Sequence, residues 1–207
     1  PYICPEVPQK QVEAINYATK MPLVYTNIAL RNWRPFAQLG YNRIKIPTEE
    51  FHHSYVLDFP VSMGDYVFSE NPDQPILVHA TCVPTMPDQG YNAIEQAKLG
   101  RLKLYQWTFE QFEQSIVNHF TGMFKGTDFD AERDIAAITV NRWPHGYAYE
   151  YNDYSDDKDF GPEKGPHIAG RAQIGRISIA NSDASAYAYV NGAIDAAYRA
   201  VTEQIKI

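Results

Sequence analysis

Gly175-Arg-Ile-Ser-Ile-Ala180 runs into Asn181-Ser-Asp-Ala-Ser185, and then into a stretch carrying Ala186, Ala188, Gly192, Ala193, Ala196, Ala197 and Ala200. The first six residues alternate, the pattern of a short strand. The next five make a polar turn. The stretch beyond predicts a helix whose small side chains let another backbone approach closely. Strand, polar turn and helix in this order is how many α/β proteins offer a helix N-terminus to an anionic or polar cofactor. The expected fold class is accordingly α/β, of mixed α+β character.

Working outward, Pro5, Pro8 and Gln9 to Ala18 read as a loop leading into a short helix. Leu23 to Leu30, Ser54 to Phe59 and Ile76 to Val83 are rich in β-formers and predict strands, with Gly64 to Ser69 as a shorter fourth. Asn92 to Leu104 reads as helical. Thr108 to Phe124 is the clearest helix: Thr108 and Gln111 have capping-box spacing, and Phe109, Phe112, Ile116, Phe120 and Met123 make one apolar stripe. Gly126 ends it. Asp134 to Trp143 carries Ile135, Ile138 and Val140 in a strand-like run, and Gly146 to Gly170 turns to Tyr, Asp, Gly and Pro, a long loop.

At 207 residues the chain is one large domain or two modest ones, and 44% hydrophobic with 21% charged residues excludes disorder, collagen and coiled coil. No apolar run approaches about 18 residues, so no membrane span is expected. Eighteen Lys and Arg against 25 Asp and Glu give a net charge of −7, which argues against nucleic acid and permits a cationic substrate. Cys4 and Cys82 form no Cys-x-x-Cys pair; a zinc ribbon is excluded and one long-range disulfide stays open. The opening Pro1-Tyr-Ile-Cys-Pro5 does not itself read as a basic-then-apolar signal segment. The expectation is a cleavage point within a longer polypeptide, with loss of an initiator Met before Pro as the alternative. Aromatics make up 14% of the chain, 15 of them Tyr, and suggest pockets that use both ring and hydroxyl.

Several motifs fail on inspection. Gly170-Arg-Ala-Gln-Ile-Gly175 has P-loop glycine spacing, but Arg176-Ile177 replaces the Lys-Ser/Thr that holds phosphate and Mg²⁺. Asp153, Asp156, Asp157, Asp159 and Glu163 lack the ligand alternation and central Gly of an EF-hand, and read as a solvated acidic loop. His52-His53 lacks the i, i+4 spacing of a helical zinc site, so no metal is expected. There is no Gly-x-Ser-x-Gly elbow and no Gly-x-Gly-x-x-Gly fingerprint.

Three stretches nevertheless occur together in a telling order: Met21-Pro-Leu-Val-Tyr-Thr-Asn-Ile-Ala-Leu-Arg-Asn-Trp33, Val140-Asn-Arg-Trp-Pro-His-Gly-Tyr-Ala-Tyr149, and Gly175 to Ala184. The last continues through Tyr189-Val-Asn-Gly-Ala-Ile-Asp195 into Arg199-Ala200. This set resembles the flavin-dependent amine oxidases, specifically the bacterial spermidine dehydrogenase-like branch. The resemblance implies the C-terminal portion of a two-domain FAD enzyme. Residues 1–20 would be a segment of the FAD domain, 21–125 a substrate-binding domain of mixed sheet and helices, and 126–207 the return to the FAD domain. The partner would be an N-terminal chain bearing the Gly-x-Gly-x-x-Gly unit. A periplasmic or secreted location is favoured by the resemblance, with the cytoplasm an alternative.

The resemblance also assigns residues. Asn181, Ser182 and Asp183 match a polar or acidic turn near the FAD pyrophosphate and ribityl chain, where the family commonly carries Gly-Glu or Gly-Asp. The plain structural alternative is that Asp183 or Ser185 caps the last helix. Ala188-Tyr189-Val190 resembles the triplet whose backbone N–H groups and helix dipole stabilise negative charge on the reduced flavin. Tyr189 would form one catalytic wall of an aromatic cage; Trp143, Gly146 and Tyr147 would supply the other, with either Tyr147 or Tyr149 facing the ring. Lys20 lies near the expected place of a family lysine that holds a water by the flavin, but its register assigns it no role. The implied reaction is oxidation of an amine, a polyamine such as spermidine being favoured. The alternatives are an L-amino-acid oxidase, for which Arg31 or Arg34 would clamp a carboxylate, and a non-catalytic subunit that stabilises a flavoprotein.

Overall fold

The computed structural model describes residues 2–47 and 50–206; Pro1, the expected cleavage point, lies outside them. The chain is α+β and divides into two compact units. The first comprises Pro1–Lys20, Asn92–Glu95 and His145–Ile207, and the second Met21–Tyr91 and Gln96–Pro144.

The second unit is built on a five-stranded sheet ordered β2-β3-β4-β1-β5, from β1 (Leu23–Leu30), β2 (Arg43–Lys45), β3 (Ser54–Asp58), β4 (Ile76–Cys82) and β5 (Ile135–Trp143). Every pairing is antiparallel, so the mixed sheet expected for this region is corrected. In β1 and β4 burial alternates along the strand, the mark of a sheet with one covered face. The cover is α4 (Phe109–Met123), started by a capping box in which Thr108 Oγ1 accepts from the Gln111 amide while Gln111 Oε1 accepts from the Thr108 amide at 2.8 Å. Its buried Phe112, Ile116 and Phe120 continue the predicted stripe. Ile116 and Phe120, with Phe124, close a core against Ile28, Leu30, Tyr55, Leu57, Val78 and Ala80, and against Phe36 of α2 (Arg34–Leu39). In α3 (Ala93–Gln106), a Cβ on Gly100 would lie 1.9 Å from the Pro84 carbonyl oxygen, which is why only glycine fits.

Another expectation is corrected here. Gly64 to Ser69 forms no strand; Gly64 takes φ +60° in a turn bridged by Met63 and Tyr66. β5 joins β1 in register from Leu23 opposite Trp143 and enters the sheet through α5 (Ala131–Asp134), and a boundary between the compact units falls at 144/145. Cys4 and Cys82 are free thiols, so the disulfide left open by the sequence is not formed. No helix among the described residues is long and apolar enough to cross a membrane.

The first unit holds α1 (Gln9–Tyr17), α6 (Pro166–Gly170), a 3₁₀ turn at Asp183–Ser185 and α7 (Val190–Ile205). The Gln11 side-chain amide, 6% exposed, donates to the carbonyls of Gly170 and Ala172 and fastens α1 to the end of α6. The predicted strand at 175–180 is absent; only an isolated Ile174–Ile177 bridge forms.

Candidate functional site

A cavity of about 260 Å³ in the first unit is lined by Ala14, Ile15 and Ala18, by Ile179 and Ala184, and by the polar groups of Lys20, His167, Arg171, Asn181 and Asp183. Asn181 Oδ1 accepts from the Ala184 amide at 2.8 Å and starts the 3₁₀ turn. The Ser182 carbonyl accepts from the amides of Ser185 and Tyr187. Asp183 is held on both oxygens: Oδ1 accepts from the Tyr149 amide at 2.8 Å and Oδ2 lies 2.7 Å from the Lys20 ammonium. Asp183 therefore ties three segments of the unit together and keeps only its remaining lone pairs for a ligand. Arg171 donates to the Ala184 carbonyl, and burial, with the like charge of Arg199, lowers its pKa. His167 is 4% exposed and burial lowers its pKa; Nε2 faces the Pro162 carbonyl and Nδ1 has no hydrogen-bond partner among the described residues.

Beyond the turn, Ala186 adopts left-handed φ +48°, which redirects the chain toward α7. The N-cap of α7 is Tyr189, so neither Asp183 nor Ser185 fills that role. Tyr189 offers no side-chain cap, and the first turn's N–H groups have no acceptor within the helix. The Ala188 N–H is not open to a cofactor here: it donates to Glu150 Oε1 at 2.9 Å, a carboxylate settled where the helix dipole favours negative charge. Tyr189 is 63% exposed and Val190 78%. The Tyr189 ring pairs with Tyr187, centroids 5.1 Å apart. Gly192 permits this: a Cβ there would lie 2.6 Å from the Tyr187 ring.

Burial separates Tyr147 from Tyr149. Tyr149 is buried, and its hydroxyl donates to Asp156 Oδ2 at 2.8 Å while Tyr17 donates to Oδ1 at 2.7 Å. Burial and that carboxylate raise both phenol pKa values, Tyr17 to about 12. Tyr149 is thus a packing residue, and Tyr147, at the surface after Gly146, is the one presented outward. Asp156 is correspondingly no simple solvated acid. Trp143 ends β5 and belongs to the second unit.

Sequence reasoning missed Lys20, Arg171 and His167 as cavity groups and Tyr17 with Asp156 as a bonded set. Lys20 and Asp183 are 163 residues apart, and no local signal links them. The density of Tyr and Asp between Tyr147 and Asp159 was a usable sign of phenol–carboxylate bonding. Among the described residues no cluster of three His, Cys, Asp or Glu is placed to hold a metal ion. No family model matches the chain, and no curated protein matches it.

Proposed function

We propose that this chain is the C-terminal portion of an FAD-dependent amine oxidoreductase, with a polyamine such as spermidine as substrate. The observation that supports this most is the pairing, within one unit, of the uncapped first turn of α7 with the Asn181–Asp183 turn and its cation-lined cavity. The donor set suits part of the cofactor. Backbone N–H groups and the Arg171 guanidinium favour an anionic pyrophosphate or the negative end of a reduced flavin. Asp183 offers acceptor capacity to ribityl hydroxyls. A 260 Å³ cavity falls below the roughly 300–1,000 Å³ of small-molecule sites, so it takes a portion of the cofactor only. The remainder belongs to a partner chain with the Gly-x-Gly-x-x-Gly unit.

FAD held there would supply hydride acceptance from the carbon bearing nitrogen, the imine so formed being hydrolysed by water to a carbonyl compound and the released amine. Tyr189 and Tyr147 supply exposed aromatic faces that attract an arriving cation and keep water from the reacting carbon. Their hydroxyls are not asked to move a proton. A polyamine is favoured over an amino acid by the state of the two candidate carboxylate clamps. Arg34 is held by Asp73 at 2.8 Å and Asp128 at 3.5 Å, and Arg31 Nε donates to the Arg133 carbonyl.

The test is the native assembly isolated through this chain. A flavin spectrum bleached anaerobically by spermidine, and not by L-amino acids, is expected. Bleaching by an amino acid alone would move the reading to an amino-acid oxidase; an assembly without flavin would end it.

A further inference from the structure

We propose that the second unit carries a binding site for an uncharged carbohydrate, in a cleft along α4. The cleft encloses about 720 Å³, within the roughly 300–1,000 Å³ of small-molecule sites. α4 lines it with Gln111, Gln114, Ser115 and Asn118, whose spacings of three, one and three make a single stripe over two turns. His119 follows the stripe, and Phe51, Gln106 and Trp107 complete the lining used here. All of these residues belong to the second unit.

The stripe runs against two local preferences. A helix face that meets only water commonly carries charge, as this helix does at the exposed Glu110 and Glu113. Ser and Asn are also weaker helix formers than Glu, Lys or Ala in a helix interior. The hydrogen-bonding capacity of the stripe is only partly used. Gln111 Oε1 accepts from the Thr108 amide, and Gln114 Nε2 donates to Asn118 Oδ1 at 2.9 Å. Gln111 Nε2, Gln114 Oε1 and Asn118 Nδ2 have no protein partner among the described residues, so donors and an acceptor stand side by side.

Charge in the cleft is cancelled instead of offered. Glu50, also in the lining, is held by Lys103 at 2.7 Å, and Lys103 lies 5.5 Å from the centroid of the Trp107 ring. His119 Nδ1 is tied to the buried Tyr55 hydroxyl at 2.6 Å. The apolar part is fixed as well: the Phe51 ring sits 4.8 Å from Trp107 and 5.3 Å from Phe112. Trp107 is 6% exposed, which leaves the half-buried Phe51 as the accessible ring. Carboxamides both donate and accept, as neighbouring sugar hydroxyls do, and an aromatic ring packs against the C–H face of a sugar. A phosphate or an ammonium group would need an unpaired countercharge, which the Glu50–Lys103 pair does not give.

The native assembly isolated through this chain is titrated with maltose, cellobiose and diacetylchitobiose by saturation-transfer NMR, with trialanine and spermidine alongside. At least one disaccharide should bind, and Gln114→Ala with Asn118→Ala should weaken it ten-fold or more. Alanine is the better helix former, so the thermal midpoint should hold or rise in that double variant. Glu113→Gln, on the neighbouring face of α4, should leave the affinity unchanged. No binding of any disaccharide, or binding indifferent to the double change, overturns the site. Trialanine or spermidine bound in their place, with the same dependence on Gln114 and Asn118, overturns the carbohydrate assignment. Flavin content measured on the same samples decides the reading above and does not enter this outcome.

Discussion

Both apolar core clusters among the described residues lie in the second unit, whereas the longest helix of the first leaves one apolar face exposed. Around the sheet, Phe36, Tyr55, Ile116 and Phe120 are wholly inaccessible and close the first of its two core clusters with β1, β3 and β4. The first unit is fastened mainly by polar stitches, namely Gln11 on two carbonyls, Asp156 on two phenols and Asp183 between Lys20 and Tyr149. Its longest helix meanwhile leaves Val190, Tyr198 and Ile205 more than three-quarters exposed. Burial supplies most folding free energy, whereas a hydrogen bond contributes a net of about 1 kcal/mol. The contrast teaches that the second unit rests on apolar burial and the first on polar ties.

The contrast breaks most severely at Phe120. Phe120→Ala should destabilise the second unit by about 3–5 kcal/mol, read by denaturant unfolding. A loss under 1 kcal/mol would mean that this core is not the main source of stability. Next in size is a pH effect from His52, which is fully buried beside Thr26. Burial first, then the charges of His119 and His53, hold its pKa down to about 3. Neutral His52 therefore contributes stability that is whole above about pH 6.5 and is lost as pH falls toward 3. Asp134, held down to about 2 chiefly by Arg133, loses its contribution only below about pH 3.8. Unfolding free energy should fall between pH 6 and 4 by up to about 1.4 kcal/mol per unit, and His52→Gln should flatten that slope. An unchanged slope would place the acid sensitivity elsewhere.

The difference between the units also explains what the sequence made legible. Runs rich in β-formers located β1, β3 and β4 within a residue, and the Thr108–Gln111 spacing with its apolar stripe located α4, because these are local signals of residue type and position. Pairing is not local. Nothing in Ile135 to Trp143 says that it adds to β1, and the alternation at 175–180 says only that the segment suits a sheet. In the candidate site, the polar turn and the start of α7 were readable from residue type. The Lys20–Asp183 and Tyr17–Asp156 bonds were not, since they join residues more than 130 positions apart.

A smaller effect sharpens the account of the stitches. Asp156→Asn keeps the shape but weakens two charge-assisted phenol bonds, at a cost of about 2 kcal/mol. Limited proteolysis should then cut within 145–165 well before the sheet is attacked. Simultaneous cleavage in both units would show that the first unit does not depend on this carboxylate.

The claim at the centre is that the exposed start of α7 faces a flavin. Its most direct test is anaerobic rapid mixing of the native assembly with spermidine, wild type against Tyr189→Ala, following flavin reduction. Tyr189→Ala leaves the backbone donors in place, so flavin content should be unchanged while the reduction rate falls roughly ten-fold or more, about 1.4 kcal/mol of barrier. Equal reduction rates in the two proteins, or an assembly that carries no flavin, would contradict the account.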